Sequence, residues 1–271
     1  MFNNCTMTDF LGFSSVNIQR FIKSPFLYKY SIILNNKKIE DLKFTYYVKN
    51  EYFVIIRANN MLLMKKVVMK MEYLTHLSQK DKIMAELIKK FGFISLEKIE
   101  PSKYFKELVD IIIGQQLSVK AATTIRNRFS DSVELIEPKI IASLEIEKMR
   151  ILGISNAKAK YIKDLAVMVV NKTINLCEID SLDNEQVVAE LTKIKGIGKW
   201  SAEMFLIFCL ARENVYSYGD AGLRNALKKL YGPEINDFDM MEIVNNWSPY
   251  KSYASLYLWK FLDSEPILNE D

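Results

Sequence analysis

Histidine and cysteine are scarce in this sequence, and long apolar runs and a strong net charge are missing. The 271 residues hold one histidine, His76, and three cysteines, Cys5, Cys177 and Cys209. A lone histidine leaves no His-rich metal cluster and little scope for a Ser-His or Cys-His nucleophile, so any catalysis has to rest on carboxylates. His76 lies in the polar stretch LTHLSQKDK and reads as an ordinary exposed side chain. Three distant cysteines argue against a disulfide framework, a zinc site or a Cys-ligated iron–sulfur cluster, and fit a reducing cytoplasm. No run approaches the roughly 18 apolar residues that a spanning helix needs. The opening segment MFNNCTMTDFLGF has neither the basic region nor the apolar region of a signal peptide. The expectation is a soluble, cytoplasmic protein with no membrane partner. The 37 basic and 33 acidic residues leave only +4, a balance that permits a nucleic-acid partner without demanding one.

The length allows one large domain, or a mid-sized one with a smaller piece attached. Residues 28–34, 42–48 and 52–57 are β-branched and aromatic runs, separated by the turn material Asn35-Asn36 and Lys49-Asn50-Glu51, and predict a small antiparallel meander. Four methionines fall between Met61 and Met71, where a translation start would leave a self-sufficient second part. Residues 1–70 are therefore expected to be a β-rich appendage and residues 71–271 a helical domain. From Glu72 the period changes: Phe105, Leu108, Val109, Ile112 and Ile113 recur at helical spacing and mark a core face. Further helices are predicted over 121–129, 157–170, 186–193, 200–210, 223–230 and 249–262. Asp183 with Gln186 forms a capping-box pattern, and Ser248-Pro249 predicts an N-cap followed by proline at the first helical position.

The most informative stretch is LTKIKGIGKWSAEMFLIFCLARENVYSYGDAGLRNAL, Leu191 to Leu227. It reads as helix, glycine turn, helix, polar loop, then a carboxylate at the mouth of another helix. Gly196 and Gly198 tolerate positive φ and leave no side chain over the turn, so the amides around Ile197 to Lys199 can approach a phosphate at a helix N-terminus. Lys195 and Lys199 add mobile charge beside them, suited to a sequence-independent grip on a DNA backbone. A plain helix–helix turn with a glycine C-cap would use the same glycines. Asp220 would serve equally as a plain N-cap of the helix that follows it.

LTKIKGIGKWSAEMFLIF nevertheless resembles the hairpin of the helix-hairpin-helix DNA glycosylase superfamily, which pairs a Gly-rich loop with a distal Asp. YGDAGLRNAL has that Asp twenty residues after Trp200. Upstream, LVDIIIGQQLSVKAATTIRNRF resembles the GQQ(L/I)S block of the 3-methyladenine DNA glycosylase II branch, and downstream WSPYKSYASLYLWKF resembles its final helix. The three ordered blocks span about residues 72 to 262 and leave the first 70 uncovered.

The resemblance implies a mainly α fold, a helix-hairpin-helix glycosylase bundle carrying the small β-rich (α+β) appendage. It implies a monomer acting on double-stranded DNA that contains damaged bases, and hence a cytoplasmic, nucleoid-associated enzyme of base excision repair. Asp220 becomes the catalytic carboxylate, ionised at a helix N-terminus, where it stabilises the positive charge developing on deoxyribose and orients the attacking water. Schiff-base members carry lysine where this chain has Trp200, so water rather than an amine is expected to be the nucleophile. Lys199, about 100 degrees round the helix, is directed to phosphate instead. Trp200 and Trp259, with Tyr253 nearby, are implied as aromatic walls for the extruded base. Met204 stands where the best-known member of the branch has a stacking tyrosine, a departure that bears on base preference. Gln116, with Leu117 beside it, corresponds to the wedge that fills the gap in the duplex. The carbonyls of Thr192, Ile194 and Ile197 are implied as holders of a structural monovalent or hard divalent cation, with no cofactor required for the chemistry. Two other readings share the hairpin: a non-catalytic DNA-binding module, which leaves Asp220 and the tryptophans without a role, and a glycosylase for oxidised purines, which usually carries the lysine.

Overall fold

The computed structural model describes residues 18–19, 43–48, 52–57 and 72–264. The chain divides into two compact units, Met1–Ser95 and Leu96–Asp271. In the first, β1 (Ile18–Gln19), β2 (Lys43–Val48) and β3 (Tyr52–Arg57) form a sheet of order β1-β3-β2. Both pairings are antiparallel, with Lys43 opposite Arg57 and Val48 opposite Tyr52. The strand expected over 28–34 lies outside the described residues. Helices α1 (72–80) and α2 (Lys82–Phe91) follow, the second capped by Asp81, whose side chain accepts the amides of Ile83 and Met84. The Tyr73 hydroxyl donates to the Ile94 carbonyl and accepts the Ile94 amide, closing this unit at its C-terminal end. His76 is half-buried rather than exposed. It follows buried Tyr73 by three positions on α1, which turns it to the helix's inner side.

The second unit is helical throughout its described residues: α3 (Tyr104–Gly114), α4 (Val119–Ser132), α5 (Pro138–Ser143), α6 (Ile146–Ile151), α7 (Asn156–Val170), α8 (Asn184–Thr192), α9 (Lys199–Phe208), α10 (Ala221–Tyr231), α11 (Asp237–Asn246) and α12 (Lys251–Ser264). Helix α3 buries Tyr104, Phe105, Leu108, Val109, Ile112 and Ile113 at the expected spacing. Helix α9 is buried on every side from Ser201 to Ile207, the mark of an element at the centre of a bundle. It packs against α3 and α8, while α10 packs against α12 and α7 supports α3, α5 and α6. The capping box at Asp183 and Gln186 is present, with both reciprocal bonds made. The final helix departs from expectation. Ser248-Pro249 does not begin it: that peptide is cis and α12 opens at Lys251. The first turn of α12 closes with the Ala254 amide donating to the Tyr250 carbonyl at 3.2 Å, so Tyr250 rather than Ser248 stands before the helix, and the Ser248 hydroxyl accepts from Asn214 at 3.1 Å. Among the described residues no helix is long and apolar enough to cross a membrane.

Candidate active site

The hairpin joins α8 to α9. Its tight turn is closed by the Ile197 amide donating to the Ile194 carbonyl at 3.0 Å, with the Ile197 side chain buried beneath it. The Ile197 amide is thereby used inside the turn. Gly196 has φ +90 and lies against Tyr161 of α7, where an added Cβ would come within 2.1 Å of the ring. Its glycine therefore answers to backbone conformation and packing. Gly198 differs: it has an ordinary φ of −94, and a Cβ there would meet nothing within 4 Å. As the N-cap of α9 it offers no side chain to the first-turn amides, which open toward solvent beside exposed Lys195 and a Lys199 side chain that is 78% exposed. A helix N-terminus of this kind suits an anion.

Twenty residues on from Trp200, Asp220 caps α10 and is only 8% exposed. Three N–H groups converge on its carboxylate. Oδ1 accepts the Leu223 amide at 2.7 Å and the Trp259 indole at 3.3 Å, and Oδ2 accepts the Trp200 indole at 2.7 Å. Capping and site-building thus coincide in one side chain. The resemblance implies both tryptophans as aromatic walls and gives no hint that their nitrogens grip the carboxylate. Gly222 completes the close fit, since a Cβ there would stand 3.1 Å from Asp220 Oδ1 and 3.7 Å from Trp259 Cδ1.

The other expected residues are less evenly gathered. Met204 is buried in α9, one turn after Trp200. Trp259 lies in tilted contact with Phe208, which is 46% exposed at the end of α9 and adds an apolar ring that sequence reading passes over. Tyr253 is buried and directs its hydroxyl to Glu213 rather than to Asp220. Gln116 has φ +56 and is exposed, with Leu117 beside it 38% exposed, between α3 and α4. Its neighbour Gln115 turns inward, donating to the Gly196 carbonyl at 2.8 Å and the Ser201 hydroxyl at 3.0 Å, and so ties this loop to the hairpin. Lys158 of α7 closes the same loop from below, donating to the carbonyls of Ile113 and Gln115, and its burial lowers its pKa. Glu203 is a further residue without a signal in the sequence. It is buried in α9 and accepts the Ser217 hydroxyl on Oε2 at 2.5 Å, with Lys199 3.9 Å from Oε1. Burial pushes its carboxyl above the usual range, Ser217 and Lys199 pull it back, and the charge of Asp220 pushes it up again. Among the described residues no group of three or more His, Cys, Asp and Glu side chains gathers.

The HhH-GPD superfamily base excision DNA repair model matches residues 109–249, the stretch that holds both the glycine hairpin and Asp220. The chain belongs to this superfamily. It is 35% identical over 195 residues to DNA-3-methyladenine glycosylase 1 of Schizosaccharomyces pombe, across 68% of this chain and 84% of that one. It is also 34% identical over 168 residues to YfjP of Bacillus subtilis, where the match spans 58% of each chain. The S. pombe 3-methyladenine DNA glycosylase Mag1, solved in complex with abasic DNA, superposes with a TM-score of 0.66 at 32% identity over 71% of this chain and 97% of that one.

Proposed function

We propose that this chain is a monofunctional DNA glycosylase that hydrolyses the N-glycosidic bond of alkylated purines in double-stranded DNA. The observation that carries this reading is the Asp220 carboxylate, enclosed at the mouth of α10 and gripped by two indoles. Breaking the base–sugar bond develops positive charge on the sugar. A carboxylate already fixed by three donors stabilises that charge without reorganising, and it can orient or deprotonate the attacking water. The hairpin amides of Gly198 and Lys199, with Lys195, grip phosphate, and the exposed Gln116 and Leu117 fill the gap left by the extruded nucleotide. Trp259, Phe208 and Trp200 supply ring faces. A base that already carries a formal charge needs no general acid, which agrees with a site of carboxylates and no histidine. Such a cation over an aromatic face gains roughly 0.5 to 2 kcal/mol, so the substrates are cationic bases of the 3-methyladenine and 7-methylguanine type.

In this proposal residues 71–271 form the catalytic domain and act as a monomer on DNA in the cytoplasm, and residues 1–70 are a β-rich appendage. The hairpin carbonyls of Thr192, Ile194 and Ile197 are hard oxygen donors of the kind alkali and alkaline-earth ions take. The Ile194 carbonyl, which accepts the Ile197 amide, retains a second lone pair for such an ion. A bound cation would add positive charge beside a DNA phosphate, and the chemistry would not pass through it.

The test is single-turnover release of 7-methylguanine, hypoxanthine and 8-oxoguanine from matched duplexes, with borohydride present in a parallel set. The expected result is fastest release of 7-methylguanine, an intact abasic product and no trapped adduct. Fastest release of 8-oxoguanine, or a covalent adduct lost in Lys199→Ala, would overturn the reading.

A further inference from the structure

Among the described residues two carboxylates are buried, Asp220 and Glu203. The proposed chemistry uses only the first. A buried carboxylate is costly unless it is compensated, and the compensation Glu203 receives is specific. The Ser217 hydroxyl donates to it at 2.5 Å, the length of a charge-assisted bond. Ser217 is itself fully buried, and its carbonyl accepts the Asp220 amide at 3.1 Å. The turn from Ser217 to Asp220 is therefore fastened at its start to Glu203 and at its end, through the carboxylate, to Trp200. Trp200 and Glu203 are three positions apart on α9 and so lie on neighbouring parts of its surface. One rigid helix thus holds the turn at two points, and two points fix an orientation where one would leave a pivot.

From this we infer that Glu203 is a positioning residue for the Asp220 carboxylate, clamping the Ser217–Asp220 turn to α9 through the Ser217 hydroxyl. The inference rests on the proposed glycosylase reading and deepens it. Glu203 does not touch the substrate. Burial and the charge of Asp220 oppose its ionisation, while the Ser217 hydroxyl and Lys199 favour it.

The experiment measures single-turnover release of 7-methylguanine, affinity for a duplex carrying an abasic site, and thermal unfolding, for the wild type, Glu203→Ala, Glu203→Gln and Ser217→Ala. Glu203→Ala should lower the excision rate about a hundredfold, the cost of a small misplacement at a reacting centre, with DNA affinity unchanged. Ser217→Ala should lower the rate similarly, since it removes the other end of the clamp. Glu203→Gln keeps a carbonyl that can accept the Ser217 hydroxyl and should restore most of the lost rate. A wild-type rate in folded Glu203→Ala or Ser217→Ala overturns the inference. So does a glutamine variant no faster than the alanine one, or a loss of rate matched by an equal loss of DNA affinity. If Glu203→Ala does not fold, Ser217→Ala and Glu203→Gln decide alone: a slow serine variant beside a nearly normal glutamine variant supports the clamp, and any other pair overturns it. A wild type that releases no alkylated base breaks the functional reading and this inference with it, whereas normal release that the clamp variants leave intact breaks only this inference.

Discussion

The hairpin and the Asp220 site are built on the two ends of one short stretch of chain, yet they are opposite kinds of surface. At the hairpin the offered groups are backbone amides and mobile lysines around an open Gly198, with solvent in front of them. At Asp220 the carboxylate is already held by three protein N–H groups, and the side chains that make the bonds are buried or half-buried. On the proposed function, a grip that must hold any DNA sequence needs groups indifferent to sequence and free to adjust. A carboxylate proposed to meet a developing charge needs the reverse, a geometry fixed before the substrate arrives.

The sharpest way to break this contrast is to damage one side and see whether the other notices. Asp220→Asn removes the charge and keeps the size. Base release in single turnover should fall by about a thousandfold, while affinity for an abasic-site duplex stays near wild type. A comparable loss of both would merge the two regions into one. The paired hairpin variants Gly196→Ala and Gly198→Ala come next. The first forces a side chain into positive φ and into the Tyr161 ring, and should lower stability by about 2 kcal/mol in thermal or denaturant unfolding. The second should cost only about 0.5 kcal/mol, because alanine is a poorer N-cap than glycine, and should bind DNA more weakly, because on the proposed function its methyl group stands where a phosphate would approach. Equal stabilities for the two variants would undo the distinction between a packed glycine and an open one.

Smaller still, Lys195→Ala and Lys199→Ala should each weaken binding without sequence preference. Each should also reduce the slope of log affinity against log salt by about one, measured by titration on undamaged and lesion-bearing duplexes alike. Selective loss on lesion DNA would mean that the lysines serve the pocket. The smallest effect is on stability against pH. The folded-state pKa of Glu203 is raised above its ordinary 4.5, so between the two values the folded protein holds more proton than the unfolded one. Stability from this group is present at low pH and declines as pH rises from about 4.5 through the raised value. The melting temperature of Glu203→Gln minus that of wild type should therefore climb over this window and then level off. A difference that is flat across it would show that the buried carboxylate is not opposed by its surroundings.

Most of the helical architecture was legible because it is written in periodicity and caps. The α3 face, the Asp183 capping box and the glycine turn are each decided within a few residues of sequence. Asp220 stood out only through the resemblance, which gives meaning to its distance from Trp200; by itself it reads as a plain N-cap, which it also is. Other features depended on partners far away in the chain. A lone glutamate in the apolar run of α9 carries no signal of what it meets, and only Ser217, fourteen residues on, gives Glu203 a buried partner. The inward turn of Gln115 toward a hairpin more than eighty residues away escaped for the same reason, while its neighbour Gln116 was picked out. Ser248 shows the opposite failure: the Ser-Pro pair is a local start signal, yet the helix begins two residues after the proline, at Lys251.

The burial of α9 also bears on how freely this protein can change over generations. Helix α10 buries Leu223, Ala226 and Leu227 and leaves positions between them open to variation, so a substitution map would show a rhythm of tolerant and intolerant sites along it. Along α9 the seven positions from Ser201 to Ile207 are all enclosed, and two of them answer to polar partners. The same map would show an unbroken intolerant block there. Drift would reach the exposed faces of this bundle long before it reached its central helix.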